Sequence, residues 1–264
     1  MALLKLKLGL IYYNYAQGDG LDGTSFITTW RTTTTNETIT IPTNGSGYNY
    51  DISTSDGQTF TGVTGSQTIT FATAGDYDVS ISGDFPRIYF DDGLEGAKIV
   101  DIKQWGNIAW TSFLKSFWGC INLQISAIDA PDLSNVTNLQ NMFRNCNSLN
   151  ANISHWDVSN ITNMRSMLQQ TPFNQNIGNW DITSVSNFLL FLTNSNDLST
   201  ANYDAILIGW EATLQATYPN GSGYTPSISI NFGDSEYTGG GAAETARTSL
   251  INNFNWTITD GGSI

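Results

Sequence analysis

The stretch that decides the fold reads Asp132-Leu-Ser-Asn-Val-Thr-Asn-Leu-Gln-Asn-Met-Phe143. Nearly the same phrase returns as Asp157-Val-Ser-Asn-Ile-Thr-Asn-Met-Arg-Ser-Met-Leu168, and then as Asp181-Ile-Thr-Ser-Val-Ser-Asn-Phe-Leu-Leu-Phe-Leu192. The offsets are 25 and 24 residues. A fixed period of this length is typical of solenoids, in which each repeat buries its apolar side by stacking on its neighbours. Function is therefore expected on a surface rather than in a cleft.

Each repeat combines two kinds of apolar spacing. In the first half, Val136, Leu139 and Met142 recur at a helical interval, and an oxygen of Asp132 or Ser134 is available as the N-cap. The second half, residues 149–156 with its counterpart 173–180, is short and extended in character. Asn is abundant at the turns, where its side chain can satisfy backbone groups that no regular ladder reaches. One short helix and one short strand per turn is the leucine-rich-repeat pattern, so we predict a solenoid with parallel strands.

Two further phrases sharpen this prediction. They are Phe117-Trp-Gly-Cys120-Ile-Asn-Leu123 and Phe143-Arg-Asn-Cys146-Asn-Ser-Leu149. With the Trp-Asp and Ser-Asn-Val-Thr-Asn phrases between them, they resemble the BspA-like leucine-rich repeats of bacterial and phage surface proteins. The resemblance covers roughly residues 98–264. It implies a binding or adhesion module and supplies no catalytic residues to transfer.

Residues 24–84 show a different pattern, rich in Thr, Ser and Gly with alternating apolar positions. Five runs are strand-like: 26–30, 37–41, 48–52, 67–71 and 77–81. Asn-Gly, Asp-Gly and Ala-Gly turns separate them, and short strands at this spacing predict an antiparallel β-sandwich. The run Phe71-Ala-Thr-Ala-Gly-Asp-Tyr-Asp-Val-Ser-Ile81 resembles the last hairpin of PKD-type immunoglobulin-like domains, which usually act as spacers or adhesive modules.

The predicted fold is therefore mainly β with short helices, in three segments. Residues 1–23 form an N-terminal strand or tail, residues 24–84 the immunoglobulin/PKD-like sandwich, and residues 85–264 the BspA-like solenoid. Residues 85–90 and 98–102 are predicted as the first solenoid strands. The solenoid ends in a helical cap over residues 198–264, with its longest helix at 198–214 and a second at about 242–253. One face of the longest helix is apolar and consists of Tyr203, Ile206, Leu207, Trp210 and Leu214.

The N-terminal run alternates between apolar and basic residues. The apolar positions are Leu4, Leu6, Leu8 and Leu10. The lysines lie inside this run, which is a period-2 strand pattern and not a secretory signal or a membrane helix. We interpret it as an anchoring strand that docks on another protein. An ordinary edge strand of the first domain is the alternative.

The chain is strongly acidic, with 10 basic and 23 acidic residues, a formal net charge of −13 and a pI near 4.1. It has no basic stripe suited to a nucleic-acid backbone, and anionic membranes would repel its surface. We therefore expect neither nucleic-acid binding nor membrane insertion. Partners are expected among virion or surface proteins at the N-terminus, and among host glycans or proteins at the repeats.

Two short acidic loops raise the question of calcium. One contains Asp19 and Asp22, and the other contains Asp91 and Asp92. Calcium takes several oxygen ligands from a loop, but neither run has the full spacing and closing Glu of an EF-hand. We interpret both as turns and predict no cofactor.

Three tryptophans, Trp105, Trp110 and Trp118, cluster within one repeat length. Exposed tryptophans often stack on sugar rings, so this cluster is a candidate ligand surface. Trp156 and Trp180 occupy equivalent repeat positions, however, which is what stacked core aromatics would do. We favour the core interpretation.

The single histidine and the two cysteines also lie in the repeats. His155 is a candidate ligand-surface residue, but it aligns with Asn179 and is interpreted as a polar strand or turn residue. Cys120 and Cys146 occupy the same repeat position, so stacking should bring them near one another. They could form a disulfide or a ladder of small buried residues, and we favour the ladder.

Catalysis finds little support. The sequence has no phosphate-binding loop, no His-Glu-x-x-His helix and no Cys-x-x-Cys pair, although paired carboxylates could still hydrolyse a glycan. The expected function is non-enzymatic binding on a virion surface, as a bacteriophage fibre, spike or decoration protein that contacts the host. The alternatives are a BspA-like adhesin, secreted or on a bacterial cell surface, and, third, a glycan hydrolase. Display as a homo-oligomer or in many copies would add avidity.

Overall fold

The computed structural model describes residues 21–195 and 197–264. The predicted anchoring residues Leu4, Leu6, Leu8 and Leu10, together with Asp19, lie outside these ranges. Within them the chain is mainly β with two α-helices, in agreement with the predicted class.

The N-terminal part contains two sheets that share one apolar core. Its strands are β1 (Phe26–Thr32), β2 (Glu37–Ile41), β3 (Asn49–Thr54), β4 (Thr59–Val63), β5 (Gln67–Phe71), β6 (Gly75–Asp84), β7 (Ile99–Gln104) and β8 (Gln124–Ile125). The larger sheet has the order β4-β3-β6-β1-β7-β8, and the smaller sheet pairs β2 with β5. All pairs are antiparallel except β7 with β8. The five predicted strands are confirmed, whereas β4 was not predicted.

Strand β3 shows why this sequence forms a sheet. Tyr50 and Ile52 are buried while Asp51 and Ser53 are exposed, which is the two-residue periodicity of a strand covered on one face. The apolar residues join a core that also contains Ile39 and Phe71 of the smaller sheet. The alternation of apolar and polar residues along the strand therefore places the apolar side chains in the core and the polar side chains in solvent.

The larger sheet crosses the predicted boundary at residue 85. Strand β7 pairs with β1 on one side and with β8 on the other, so repeat residues complete the sheet of the first segment. Residues 85–90 form no strand, which corrects the prediction for this run. The reason is that its backbone donors go to separate elements: Tyr89 N–H donates to the carbonyl of Pro42 and Phe90 N–H to that of Ser116.

The repeats contain turns instead of the predicted helix and strand. Over residues 131–195 no helix is formed, and parallel pairing is limited to the bridges Asn138–Asn163 and Asn163–Asn187. The prediction of a parallel-strand sheet through the repeats is therefore wrong for this range. Backbone N–H groups donate to the next repeat, as from Phe117 to Met142 at 2.8 Å and from Phe143 to Met167 at 2.9 Å. A helix would need the same donors within its own turn.

Left-handed backbone at recurring positions also prevents a helix. Two residues four apart have positive φ in each of three turns, and the pairs are Asn141 with Asn145, Ser166 with Gln170, and Leu190 with Asn194. An α-helix requires negative φ throughout. The hydrogen bonds to the neighbouring turn compensate for this unfavourable backbone, so the turns depend on being stacked.

The repeated Asp and Asn residues close these turns. Each accepts a hydrogen bond from the backbone N–H two residues later, as Asp132 does from Ser134 at 2.9 Å and Asn163 from Arg165 at 3.0 Å. The others that do so are Asn138, Asn152, Asp157, Asn176, Asp181 and Asn187. The prediction that Asn satisfies backbone groups in the turns is confirmed.

The C-terminal part contains both helices. They are α1 (Thr200–Thr217) and α2 (Ala242–Asn252). The same part contains two short parallel strand pairs: β9 (Ser229–Asn231) with β11 (Thr257–Thr259), and β10 (Glu236–Tyr237) with β12 (Gly262–Ser263). The predicted apolar face of α1 is confirmed, because its five buried residues are those named from the sequence. Among the described residues, no helix combines the length and the apolar character needed to cross a membrane.

Candidate functional site

The three clustered tryptophans divide between the core and the surface. Trp105 and Trp110 are 0% exposed. The Trp105 ring stacks on Phe26 at 5.7 Å and meets Trp156 edge-on at 5.4 Å, so it joins the sheet to the repeats. Neither Trp105 nor Trp110 presents a face to a ligand, and the candidate ligand surface is corrected accordingly.

Trp118 is only half-buried and carries two cations on its ring. The ammonium nitrogen of Lys115 lies 5.2 Å from the ring centre, and the guanidinium carbon of Arg144 lies 4.7 Å from it. Both distances are within the range of cation–π attraction. Of the three tryptophans, Trp118 alone therefore remains at the surface.

The stacking of the turns brings Arg144 to Trp118. The two residues occupy equivalent positions, 26 apart, in successive repeats. The backbone N–H of Gly119 donates to the carbonyl of Arg144 at 2.9 Å, which holds the two turns side by side. The long Arg144 side chain can then lie along the indole of the preceding turn.

The surface around Trp118 extends into the segment before β7. Lys115 pairs with Asp91 at 2.7 Å, and Tyr89 donates its hydroxyl hydrogen to Asp91 at 2.9 Å. The guanidinium carbon of Arg87 lies 4.5 Å from the centre of the Tyr89 ring. We call this continuous set the basic-aromatic patch, and its members are Arg87, Tyr89, Asp91, Lys115, Trp118 and Arg144.

Within the basic-aromatic patch, some charged side chains have a partner of opposite charge and others do not. The hydrogen bond from Lys115 lowers the pKa of Asp91, and the same bond raises the pKa of Lys115. Both groups are therefore charged at neutral pH and neutralise one another. Asp91 already has a cation partner, which favours the turn interpretation of its loop over a calcium site.

The arginines of the patch are less well paired. Eight lysines and arginines lie in the described ranges, and those in ion pairs are Arg31, Lys98, Lys103, Lys115 and Arg247. Arg87 donates to the carbonyl of Leu114 at 2.9 Å. Within the described part of the chain, Arg144 has no acidic partner and its buried Nε has no acceptor. Arg144 is thus the least satisfied cation of the patch.

His155 has a structural role outside the patch. Its ring is exposed, and Nε2 lies 3.1 Å from the carbonyl oxygen of Asp129 in the preceding repeat. Asn179, the equivalent residue, donates to the carbonyl of Ser154 at 2.9 Å. Both side chains tie one repeat to the previous one, which agrees with the interpretation of His155 as a polar turn residue.

Asp92, the neighbour of Asp91, donates its backbone N–H to the carbonyl of Trp118 at 3.0 Å. Asp22, the calcium candidate of the other loop within the described residues, forms a turn. Its carboxylate accepts from the backbone of Thr24 at 2.8 Å and of Ser25 at 2.7 Å, and from the side chain of Gln104 at 2.9 Å. Burial raises the pKa of Asp22, but these hydrogen bonds and one from the Ser25 hydroxyl outweigh it and hold the pKa well below its usual range. Across residues 21–195 and 197–264, no cluster of three or more His, Cys, Asp or Glu could hold a metal ion.

The cysteines are free and fully buried, so the disulfide alternative is not realised. The thiol of Cys146 donates to the carbonyl of Phe117 in the preceding turn at 3.1 Å. At the equivalent position two repeats later, the Ser195 hydroxyl donates to the carbonyl of Leu168 at 2.7 Å. Burial raises the pKa of both thiols, which keeps them protonated and able to donate. The cysteines are therefore structural residues.

Sequence reasoning found Trp118 but missed the cations beside it. A signal was present, because the aligned phrases place Arg144 at the position of Trp118 in the next repeat. No comparable signal marks Arg87 and Tyr89. Their approach to Lys115 follows from the path of the chain between β6 and β7.

Comparison with known proteins gives one family match. A family model described as a Mycoplasma protein of unknown function, DUF285, matches residues 99–207. No curated protein and no solved structure matches the chain. The matched residues contain the aligned phrases, and the match is consistent with a BspA-like surface protein.

Proposed function

We propose that this chain is a non-enzymatic, surface-displayed binding protein whose repeats form a BspA-like variant of the leucine-rich-repeat solenoid. In this proposal the stacked turns replace the regular helix and strand of each repeat. The N-terminal sheets are a PKD/immunoglobulin-like spacer, and the basic-aromatic patch is the surface that contacts the ligand. The patch is the single observation that carries the proposal, because it gathers aromatic rings and unpaired cations on an otherwise acidic chain.

The stacked turns support a binding role for this surface. Each turn is hydrogen-bonded to the next through its backbone, so outward side chains are held at fixed spacing. A fixed array of side chains pays little ordering entropy when a ligand binds. A repeated surface can also engage an extended ligand at several points.

The proposed setting is the surface of a bacteriophage particle. The N-terminal segment attaches the chain to other virion proteins, and the repeats face a glycan or protein of the host. Many copies on one particle convert weak single contacts into strong attachment. The alternative, a bacterial cell-surface adhesin, is favoured by the family description, which names a bacterial genus.

Peptide mass spectrometry separates these two settings. Gradient-purified phage particles and washed cell envelopes from the same source culture are digested and compared. The proposal expects peptides of this chain to co-purify with the particles in constant ratio to a capsid protein. Peptides found only in the envelopes contradict the virion setting and establish the adhesin alternative.

The non-enzymatic part of the proposal has its own test. Host polysaccharide is incubated with the protein, and reducing ends are measured over time. We expect no release above the buffer control. A release of reducing ends that is lost when a pair of carboxylates is replaced, while the chain stays folded, contradicts the proposal.

A further inference from the structure

We infer that Arg144 is the anion-binding centre of a site for a carboxylate-bearing polysaccharide, located on the basic-aromatic patch. The inference rests on the proposed binding function and names the ligand class that this surface accepts. It follows from charge, from the stacking of Arg144 on Trp118, and from the side chains in line with them.

Within the part of the chain that the structure describes, charge complementarity favours an anionic ligand at the patch. The chain as a whole carries a formal net charge of −13 and repels polyanions. The patch reverses this locally, because it holds the three cations Arg87, Lys115 and Arg144. Only two carboxylates lie against them among the described residues: that of Asp91 and that of the neighbouring Asp92, whose backbone N–H donates to the carbonyl of Trp118. A polyanion that binds this chain is therefore directed to the patch.

Arg144 is the cation prepared for such a ligand. The charge of Lys115 is satisfied by Asp91, whereas Arg144 has no acidic partner among the described residues. The guanidinium carbon lies 4.7 Å from the centre of the Trp118 ring, which holds the group at this position. Of its three nitrogens only Nε is buried without a partner, so the two terminal nitrogens are left to donate hydrogen bonds to a ligand. A carboxylate accepts two parallel hydrogen bonds from such an edge, which gives both affinity and orientation.

The line of residues through Arg144 suits a saccharide better than an acidic peptide. Trp118, Arg144, Gln169 and Thr193 occupy the same position in four successive turns. Each has a buried nitrogen or oxygen without a hydrogen-bond partner in the described part of the chain. Gln169 is only 7% exposed, so its unpartnered oxygen is covered from solvent. The partly exposed Trp118 ring and Arg144 guanidinium are therefore the groups open to a ligand, and a ring face beside a cation matches a sugar ring that carries a carboxylate.

The test measures binding of the full chain to three immobilised acidic polysaccharides: polygalacturonate, alginate and hyaluronate. Neutral dextran and dextran sulfate serve as comparison surfaces. We expect binding to at least one of the acidic polysaccharides, none to dextran, and weaker binding to dextran sulfate. Arg144→Gln should lower affinity at least about tenfold, since it removes a bidentate charged contact. The affinity of Arg144→Lys should lie between those of the unaltered chain and of Arg144→Gln, because lysine keeps the positive charge but cannot donate two parallel hydrogen bonds.

Arg165→Gln is the matched control. Arg165 is exposed, lies in the next turn and has no ion pair among the described residues, so its loss changes net charge equally. We expect its affinity to stay within about twofold of the unaltered chain. Lys115→Gln provides a second variant: it leaves the Asp91 carboxylate unpaired within the patch and should also weaken binding. Near-ultraviolet circular dichroism and thermal melting confirm that each variant is folded.

Three results of the binding measurements would overturn the inference. They are no binding to any of the three acidic polysaccharides, equal binding to neutral dextran, and equal losses in Arg144→Gln and Arg165→Gln. Attachment to host cells that persists unchanged in Arg144→Gln also contradicts it while leaving the proposed function intact. Absence of the chain from both particles and envelopes defeats the proposed function but does not alter the polysaccharide result.

Discussion

The sheets at the N-terminus and the stacked turns at residues 113–195 satisfy the same requirement in different ways. Both bury apolar side chains and must pair the backbone groups buried with them. In the sheets, antiparallel strands such as β1 and β6 pair segments with unrelated sequences. In the turns, recurring N–H groups, such as those of Phe117, Phe143 and Leu168, donate to a near-copy of their own segment about 25 residues later.

This difference changes what a single residue controls. A residue in a central strand is hydrogen-bonded to a strand on each side. The two neighbouring strands have sequences unrelated to its own. A turn residue in the repeats supports the copy before it and is supported by the copy after it. We therefore expect substitutions in the turns to act on adjacent repeats, while substitutions in the joining core act on both regions.

The largest effect is expected where the two regions meet. Trp105→Ala should lower the free energy of unfolding by about 3 to 5 kcal/mol, because it opens a cavity between Phe26 and Trp156. Trp118→Ala is the matched control and should cost about 1 kcal/mol, since its ring is half-buried. Chemical denaturation of both variants measures the difference. Equal losses would contradict the division of the tryptophans into core and surface.

The C-terminal part, with helices α1 and α2, should give the next largest effect. Asp260 accepts two hydrogen bonds from Arg247 and one from the Tyr203 hydroxyl, and its side chain is 3% exposed. Asp260→Ala should cost about 3 kcal/mol, because it leaves a partly buried guanidinium unpaired. Glu236→Ala, at an exposed neighbouring position, should be close to neutral. A melting temperature of Asp260→Ala equal to that of the control would show that this network does not stabilise the C-terminal part.

Loss of one side-chain hydrogen bond that closes a turn of the repeats should destabilise the chain less than the Trp105 and Asp260 variants do. The Asn163 carboxamide accepts from Arg165 and donates to Gln140 of the preceding repeat at 3.1 Å. Asn163→Ala should therefore lower the free energy of unfolding by about 1 kcal/mol. Asn147→Ala is the control, because Asn147 is exposed and its side chain forms no hydrogen bond within the described residues. If both variants unfold at the same denaturant concentration, the Asn closures do not stabilise the stack.

The smallest effect is a pH dependence at the start of the sheet. Because the folded pKa of Asp22 is depressed, its contribution is complete above the unfolded pKa near 3.8 and is lost as pH falls below it. Asp22→Asn should cost about 0.5 kcal/mol at pH 7, because the carboxylate is largely exposed, and should flatten the loss of stability between pH 5 and pH 2. Asp84→Asn, at an exposed position, serves as control. An acid-unfolding curve of Asp22→Asn parallel to that of the unaltered chain would contradict this assignment.

The sheets were largely predictable because their signal is local. Alternation and turn residues identify β1, β2, β3, β5 and β6 without reference to any other part of the chain. Strand β4 was missed because its alternation is weak and Gly62 interrupts it with a φ of +64°. The apolar face of α1 was predictable for the same local reason, since helical spacing alone defines it.

The repeats were predictable in their stacking but not in their conformation. The period identifies which segments lie side by side, yet the left-handed backbone at Ser166, Gln170 and Leu190 is not a preference of those residue types. It is imposed by hydrogen bonds to the next copy. The helical spacing of Val136 and Leu139 therefore describes inward-facing residues of a turn and not a helix.

The candidate site was predictable in part. Trp118 and Arg144 share a repeat position, so their contact follows from the alignment of two phrases. The pairing of Asp91 with Lys115 and the approach of Arg87 to Tyr89 depend on how the chain leaves β6 and enters β7. No periodic or local pattern encodes that path.

Amide hydrogen exchange observed by NMR tests most directly whether the repeats are a hydrogen-bonded array of stacked turns. We predict that the amides of Phe143, Asn145 and Leu168 exchange as slowly as those in β1 and β6, because all donate to buried carbonyls. The amide of Asn147, which has no partner among the described residues, should exchange fast. If the turn amides exchange at the rate of Asn147 while the strand amides remain protected, the turns are not stacked, and the account of the repeats as a rigid binding surface is wrong.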